Sequence, residues 1–228
     1  QDTGVRYSTF ISSITKLFES ASDNDVPVII LDRPNPLGGQ KISGPLPREE
    51  YQSFEAYHLV PIRHGMTIGE LLLMVNEMGW AKDLKRVDLK IVPMANWKRE
   101  QYMDDLQLPW KKPAPYINDL NTLIMYTGMD LLRGTNINVG FGTEFPYLRF
   151  GSPWLATKFF KEKLDMLDLP GLTFREVSYR PKGSPYFNRI PKYNGKSCSG
   201  IEILISDKKL VKPLETATSI ITLISQLH

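Results

Sequence analysis

The residues best suited to chemistry in this chain are Arg63, His64 and Glu70, which lie within one eight-residue segment. An imidazole exchanges protons near neutral pH, while a carboxylate and a guanidinium supply fixed charges of opposite sign. Thr67 and Glu70 are three residues apart before an apolar run, which predicts a capping box at the start of a helix. Because a helix amino terminus presents unpaired N–H groups, we expect this segment to face an anion or a sugar oxygen. The alternative is that Glu70 only caps the helix and His64 only packs.

A second polar group follows the apolar run at residues 28–31. The run predicts a parallel strand covered on both faces, and Asp32, Arg33 and Asn35 follow it in a loop rich in proline and glycine. Ligands of open α/β sheets bind beyond the carboxyl ends of the strands. We therefore expect this loop and the start of the capped helix to converge on one crevice. The alternative is an Asp–Arg pair that holds a rigid turn.

Two further groups of polar residues are candidates for substrate binding. Asp2 and Arg6 open the first helix and are expected at the same edge of the sheet, although Asp2 also suits a helix cap. Thr135, Asn136 and Thr143 lie in a glycine-rich stretch that suits hydrogen bonding to a sugar. The alternative for that stretch is a set of tight turns.

Carboxyl groups are the usual acids and bases of glycoside hydrolysis. The candidates here are Asp2, Asp32, Glu70 and Glu144, and sequence spacing does not determine which of them meet. The histidines lack a metal-ligand spacing and Cys198 has no evident histidine partner, so neither a catalytic metal, a cofactor nor a thiol nucleophile is predicted.

Composition limits the classes of function. A formal charge of +3 on 228 residues is too small for phosphate-backbone binding to be the main activity, so nucleic acid is not an expected partner. No apolar run approaches the ~20 residues of a membrane span, and no signal peptide is visible. A nucleotide-binding function is a weaker alternative, because no glycine-rich phosphate-binding motif is present.

Apolar periodicity predicts alternating helices and strands, and therefore an α/β fold. Helices are expected at 7–22, 67–78, 119–127, 154–167 and 214–227, and strands at 28–31, 87–94 and 201–205. Two parallel strands make too small a sheet, so we expect residues 1–98 to be the C-terminal portion of a larger Rossmann-like domain. Residues 99–228 are expected to form a smaller α+β domain, in which residues 180–196 make a basic, aromatic loop.

Several ordered segments together resemble one family, the exo-β-N-acetylmuramidases, long catalogued as a domain of unknown function. The resemblance covers nearly the whole chain and rests on residues 1–7, 31–39, 63–70, 108–110, 134–136, 142–143, 151–154 and 170–175. It implies a bacterial, secreted or cell-envelope glycosidase that releases terminal N-acetylmuramic acid from peptidoglycan fragments, with a cleft between two domains. It also implies that His64 and Glu70 support catalysis, with muramyl sugars as the substrate.

The sequence departs from the family pattern in three places. The family's favoured catalytic glutamate, in a Pro-Glu-His-Gly segment, has no match, so the resemblance implies that residues 1–228 alone are inactive. Arg133 stands where the family usually has glutamate, and Phe141 stands where it usually has arginine. These changes favour the alternative of a non-catalytic peptidoglycan-binding protein. Oligomeric state is not predicted.

Overall fold

The computed structural model of the chain describes residues 2–183 and 190–227. The chain folds into two compact units, an N-terminal unit, Gln1–Pro113, and a C-terminal unit, Ala114–His228. The boundary predicted between residues 98 and 99 stays a prediction. A parallel pair of strands and a small antiparallel sheet, both accompanied by helices, confirm the α/β class.

From residue 2 onwards, where its description begins, the N-terminal unit contains two helices and one parallel pair of strands. In chain order these are α1 (Phe10–Asp23), β1 (Val28–Leu31), α2 (Ile68–Glu77) and β2 (Leu89–Val92), with short 3₁₀ turns between them. β1 and β2 pair in parallel with Val28 opposite Leu89. Apolar side chains of α1, α2 and β1 form the core, including Phe18, Leu71 and Val75. This core fixes the start of α2 close to the carboxyl end of β1.

Two details of this unit differ from the sequence predictions. α1 begins at Phe10 rather than at residue 7, because Thr9 adopts a left-handed conformation (φ 66°) that separates it from a short 3₁₀ turn. The prediction that β1 is covered on both faces is wrong within this chain: Ile29 and Leu31 are 62% and 71% exposed. Only the face that carries Val28 and Ile30 packs against the core.

In the part of the C-terminal unit that the structure describes, three strands combine with three helices. Its elements are α3 (Leu120–Met129), β3 (Arg149–Ser152), α4 (Thr157–Met166), β4 (Leu172–Tyr179), β5 (Cys198–Ile205) and α5 (Pro213–Leu227). The strands form an antiparallel sheet in the order β3-β5-β4. α3 packs on α5, and Gly128 permits this approach because a Cβ there would lie 1.9 Å from the Pro213 carbonyl oxygen. Residues 184–189 of the predicted basic loop lie outside the described residues.

Helical spacing of the apolar residues Ala156, Phe159, Phe160, Leu164 and Leu167 predicts a buried stripe on α4, and this stripe is only partly core. Phe160 and Leu164 are fully buried, but Phe159 and Leu167 are 46% and 43% exposed. The helix rests on β4 and β5, so only a narrow face is covered.

The same spacing predicts a stripe of Ala217, Ile220, Ile221, Ile224 and Leu227 on α5. Ala217, Ile220 and Ile224 are buried as predicted, Ile221 is half-buried, and the Leu227 side chain lies outside the described residues. Among the helices that the structure describes, none has the length and apolarity needed to cross a bilayer.

A buried carboxylate lies at the centre of the antiparallel sheet. Glu202 on β5 lies opposite Arg149 of β3 and Arg175 of β4, and both guanidinium groups donate to it. Burial alone would raise the pKa of Glu202, but the hydrogen bonds from Arg149 and Arg175 outweigh it and hold that pKa below its usual value. The charge is therefore retained in the interior because two cations face it.

His58 is a buried histidine of the N-terminal unit. The His58 Nε2 atom lies 2.7 Å from the Thr15 hydroxyl, which itself donates to the Ile11 carbonyl, so His58 carries its proton on Nε2. The ring stacks on Trp80 at 5.7 Å. Burial lowers the pKa of His58 to about 4, and the side chain is therefore neutral in the folded protein at neutral pH.

We expect folding stability to fall as the pH is lowered, because of His58. In the unfolded chain its pKa is near 6.5, so its contribution is complete above that value and is lost as the pH falls towards 4. The full effect is about 3 kcal/mol. Urea unfolding of wild type and His58→Gln at several pH values from about 7.5 to about 4.5 measures it. Equal pH dependence in the two proteins would contradict this assignment.

The two partners of Glu202 should differ in their effect on stability. Arg149→Gln removes the more buried cation and should lower the free energy of unfolding by about 3 kcal/mol, because the Glu202 carboxylate is left poorly compensated. Arg175 is 61% exposed in its side chain, so Arg175→Gln should cost less than about 1 kcal/mol. Urea unfolding at neutral pH measures the free energy of unfolding of both variants. Equal losses of stability would show that the burial of the arginine does not determine its contribution.

Candidate functional site

The carboxylate of Asp32 lies at the amino terminus of α2. Its Oδ2 accepts from the Thr67 hydroxyl at 2.6 Å, and its Oδ1 accepts from the backbone N–H of Gly69 at 2.8 Å. The backbone N–H of Arg33 also donates to Oδ1, at 2.9 Å. The predicted convergence of the loop after β1 with the start of α2 is therefore observed. The expectation that this helix terminus faces an external anion is wrong for Gly69, whose N–H faces the protein's own carboxylate.

The capping box at residues 67–70 is confirmed. The Thr67 hydroxyl accepts from the backbone N–H of Glu70 at 3.2 Å, and Glu70 Oε2 accepts from the backbone N–H of Thr67 at 3.0 Å. The other oxygen of Glu70 forms an ion pair with Arg99, which also donates to the Gly65 carbonyl at 3.2 Å. Glu70 thus caps the helix and anchors Arg99, while its predicted supporting role in catalysis stays a prediction.

His64 and Asp2 form a buried pair. The Nε2 atom of His64 lies 3.6 Å from Oδ2 of Asp2, and both side chains are almost fully enclosed. Nδ1 of His64 accepts from the backbone N–H of Met66 at 3.3 Å, so the neutral ring carries its proton on Nε2, towards Asp2. Burial lowers the pKa of His64, and Asp2 only partly opposes this. A neutral imidazole N–H that faces a carboxylate can orient it, and the carboxylate can then accept a proton from a reacting hydroxyl or water.

Two buried arginines hold the surrounding loops. Arg6 donates to the backbone carbonyls of Pro45 (3.0 Å) and Val60, and Arg63 donates to that of Leu37. The guanidinium of Arg63 also lies over the ring of Tyr102 at 5.9 Å. These contacts are all with the protein itself. The predicted substrate-binding role of the two arginines stays a prediction, beside an observed role in fixing loop positions.

Asn35 links the loop to the segment before α2. Its amide group donates to the Met66 carbonyl at 2.9 Å, and its carbonyl oxygen accepts from the backbone N–H of Leu37 at 3.0 Å. Gly4 is required beside it, since a Cβ there would lie 2.3 Å from Asn35 Oδ1. Arg33, by contrast, has an exposed side chain. Asn35 is therefore part of the framework around His64, and its sugar-binding role remains a prediction.

The glycines of the loop after β1 allow it to pack closely on the segment around Arg99. The backbone N–H of Gly39 donates to the Arg99 carbonyl at 2.7 Å, and a Cβ on Gly38 would lie 3.1 Å from that same oxygen. The segment around Arg99 thus packs directly on the loop. The ion pair of Arg99 with Glu70 is not predicted from the sequence, because no local spacing signals a contact between residues 29 positions apart.

The threonines predicted in the C-terminal unit close local turns. The Thr135 hydroxyl donates to the Leu132 carbonyl at 2.7 Å, and the Thr143 hydroxyl donates to the Gly140 carbonyl at 2.7 Å. Each hydroxyl also accepts a backbone N–H two residues ahead. Both threonines therefore stabilise tight turns, which was the alternative given for this stretch. The Asn136 side chain is exposed. Within the described residues, no group of three or more His, Cys, Asp or Glu is arranged to hold a metal ion.

Models of one protein family match nearly the whole length of the chain. Residues 1–121 match the N-terminal model of the exo-beta-N-acetylmuramidase NamZ family, and residues 124–228 match its C-terminal model. The chain is 36% identical over all its 228 residues to the peptidoglycan beta-N-acetylmuramidase NamZ of Bacillus subtilis (strain 168). It spans 52% of that relative's length.

Two crystal structures of DUF1343 family proteins from Bacteroides fragilis NCTC 9343 resemble the chain. One has a TM-score of 0.90 and 28% identity, covering the whole of this chain and 57% of the other. The second has a TM-score of 0.75 and 29% identity, covering 93% of this chain and 55% of the other.

Gly69 should not tolerate alanine although it lies within a helix. Glycine to alanine in a helix normally stabilises by about 1 kcal/mol. A Cβ at Gly69 would lie 2.6 Å from Cγ of Asp32, and moving that carboxylate breaks its bonds to Thr67 and Gly69. We therefore expect Gly69→Ala to destabilise by about 1–2 kcal/mol.

Gly134→Ala provides the matched control for Gly69→Ala. A Cβ at Gly134 meets no atom within 4 Å, so this change should be neutral or slightly stabilising. Thermal unfolding of both variants measures the difference. A stabilised Gly69→Ala would mean that Asp32 can leave the helix terminus at little cost.

Proposed function

The chain belongs to the exo-beta-N-acetylmuramidase NamZ family, and on that premise we propose that the intact protein is a glycoside hydrolase acting on peptidoglycan. The specific reaction proposed is release of terminal N-acetylmuramic acid from peptidoglycan fragments. Support comes from the relative in Bacillus subtilis, which is named as a peptidoglycan beta-N-acetylmuramidase and of which this chain spans 52%. Activity is therefore proposed for the intact protein.

The observation that carries the proposal is the buried Asp2–His64 pair. Hydrolysis of a glycosidic bond needs groups that move protons at fixed positions beside the sugar. His64 is locked by the Met66 amide with its N–H towards the Asp2 carboxylate at 3.6 Å. In the proposed mechanism, Asp2 contacts a substrate hydroxyl or water, and His64 is the positioning residue that orients the carboxylate.

The residues around this pair supply rigidity. Arg6 and Arg63 fix two loops through backbone carbonyls, and Asn35 fixes the carbonyl of Met66, whose own N–H holds His64. A preformed site loses little free energy to reorganisation when substrate binds, so rigid surroundings favour catalysis. This framework suits recognition of one sugar in one orientation.

Fold and location complete the proposal. We infer a Rossmann-like arrangement for the N-terminal unit, supported by the parallel pair β1 and β2 and by α1 and α2 packed in one core with β1. We also infer that the protein works in the bacterial cell wall, at the cell envelope or outside the cell, because its proposed substrate occurs there. Cell fractionation tests the location.

Turnover of a chromogenic muramic acid glycoside by the intact protein tests the function. Asp2→Asn and His64→Gln should each lower kcat by about 10²-fold or more, because the first removes the proposed catalytic carboxylate and the second removes the imidazole that positions it. Glu77→Gln, on the exposed side of α2, is the control and should retain activity. Circular dichroism of each variant confirms that it is folded.

The same assay separates the hydrolase from a glycan-binding protein. Calorimetry with a muramyl disaccharide measures binding independently of turnover. Binding without any turnover by the wild-type protein would overturn the hydrolase and support a non-catalytic peptidoglycan binder. Full activity of both Asp2→Asn and His64→Gln would remove the pair from the mechanism.

A further inference from the structure

One buried amide, that of Asn35, contacts both of the residues that hold the Asp2–His64 pair. Gly4 holds the carboxylate, since its backbone N–H donates to Oδ2 of Asp2 at 2.9 Å. Met66 holds the imidazole, since its backbone N–H donates to Nδ1 of His64 at 3.3 Å. The distance of 3.6 Å within the pair therefore depends on what holds Gly4 and Met66 relative to each other.

The contacts of the Asn35 side chain are close on both counts. Its Nδ2 donates to the Met66 carbonyl at 2.9 Å. It also lies against Gly4, where a Cβ would be 2.3 Å from Oδ1 of Asn35 and 2.9 Å from its Cγ. Only a glycine allows the backbone to come this near, so the amide sets how closely the Gly4 segment approaches. One side chain thus joins the segment that carries Asp2 to the segment that carries His64.

The orientation of this amide is fixed by its partners. Oδ1 of Asn35 accepts from the backbone N–H of Leu37 at 3.0 Å, while Nδ2 faces a carbonyl oxygen, which accepts but cannot donate. Exchanging the oxygen and the nitrogen would leave both partners without a hydrogen bond. The side chain is only 1% exposed, so such a loss would be costly. The amide therefore keeps one orientation.

The turn that carries Asn35 is itself anchored. The backbone N–H of Gly38 donates to the Asn35 carbonyl at 3.0 Å and closes the turn, and that of Met103 donates to the Pro36 carbonyl at 3.1 Å. Pro34 and Pro36 restrict the backbone on either side of Asn35. Because this turn is fixed, the amide at its centre can hold other segments in place.

We propose that Asn35 is a positioning residue that couples the two members of the Asp2–His64 pair and sets the distance between them. This role needs no contact with substrate, unlike the sugar-binding role predicted from the sequence. It rests on the proposed function in taking the pair as the groups that act on the glycoside. Loss of the amide should release Gly4 and Met66 together, so that the imidazole and the carboxylate lose their fixed relative position.

Nitrogen-15 NMR of the His64 ring in the full chain at neutral pH tests the coupling without a substrate. In wild type, Nε2 carries the proton and Nδ1 accepts from Met66, so the two resonances should be widely separated. Asn35→Ser keeps an acceptor for the Leu37 N–H but is too short to reach the Met66 carbonyl. In this variant the two resonances should move towards each other, because the second tautomer becomes populated. The His64→Gln variant assigns the signals.

Asn76→Ser is the matched control. The buried amide of Asn76 also donates to a carbonyl and accepts from an N–H, both of Val87, at 3.1 and 2.9 Å. It lies in the same unit, about 13 Å along α2 from the Thr67 cap. Thermal unfolding should show a comparable loss of stability in Asn76→Ser and Asn35→Ser. The His64 resonances of Asn76→Ser should nevertheless stay at their wild-type positions.

Gly4→Ala disturbs the same contact from its other end. Its Cβ must displace the Asn35 amide, although both hydrogen-bonding groups of the amide remain. The His64 resonances should therefore shift in the same direction as in Asn35→Ser, and Gly4→Ala alone decides the test if Asn35→Ser does not fold. Unchanged resonances in the folded variants would overturn the proposal, as would an equal shift in Asn76→Ser.

Turnover by the intact protein connects the coupling to the reaction. Asn35→Ser should lower kcat on the chromogenic muramic acid glycoside about tenfold while KM stays within about twofold, because relative positions change and sugar contacts do not. A loss confined to KM would assign Asn35 to sugar binding and overturn the positioning role. If the wild-type protein turns over no glycoside while the resonances follow the expected pattern, the proposed hydrolase fails and the coupling of the pair stands.

Discussion

The carboxylate of Asp32 at the start of α2 is the interaction on which the N-terminal unit depends. Strand β1 ends at Leu31, and the next residue reaches the first turn of the helix through Thr67 and Gly69. The bond satisfies helix N–H and hydroxyl groups and places a negative charge where the helix dipole favours it. It fixes the carboxyl end of the strand against the helix, and with it the segment from Arg63 to Met66.

Most charged and polar groups of this site are engaged with the protein before any ligand arrives. Glu70 is shared between the cap and Arg99, and Arg6 and Arg63 are bound to carbonyls. These bonds hold the loops in one conformation. A loop that moved would leave buried polar atoms without hydrogen-bond partners, which would destabilise the fold. Asp2 and His64 are also held by the backbone, through the N–H groups of Gly4 and Met66, while Nε2 of His64 lies 3.6 Å from Oδ2 of Asp2.

Local spacing predicted the local features well. The capping box at Thr67 and Glu70 and the strand at 28–31 follow from patterns of a few residues. The contact of Glu70 with Arg99 was not predictable, since 29 residues separate them. For the hydroxyls of Thr135 and Thr143 the sequence left two readings open, a sugar site and tight turns, and each hydroxyl bonds to a carbonyl three residues back, as in a turn.

Burial was harder to predict than secondary structure, because it depends on which elements are present to cover a face. On α4, Phe159 lies on the same predicted stripe as Phe160, but the narrow contact with β4 and β5 covers only the latter. Glu202 is the reverse case, a charge in an apolar strand that stays buried because Arg149 and Arg175 flank it. Such cross-strand partners are fixed by register, which the sequence of one strand does not contain.

The hydrogen bond from the Met66 amide to His64 has a wider meaning for reactivity. An imidazole that can flip presents either nitrogen to its surroundings, but this ring has one nitrogen occupied by the backbone. His64 therefore offers one N–H donor, on Nε2, and this donor faces Asp2. A flip of the ring would break the bond from the Met66 amide and turn the Nε2 N–H away from Asp2, so the backbone itself selects which nitrogen faces the carboxylate.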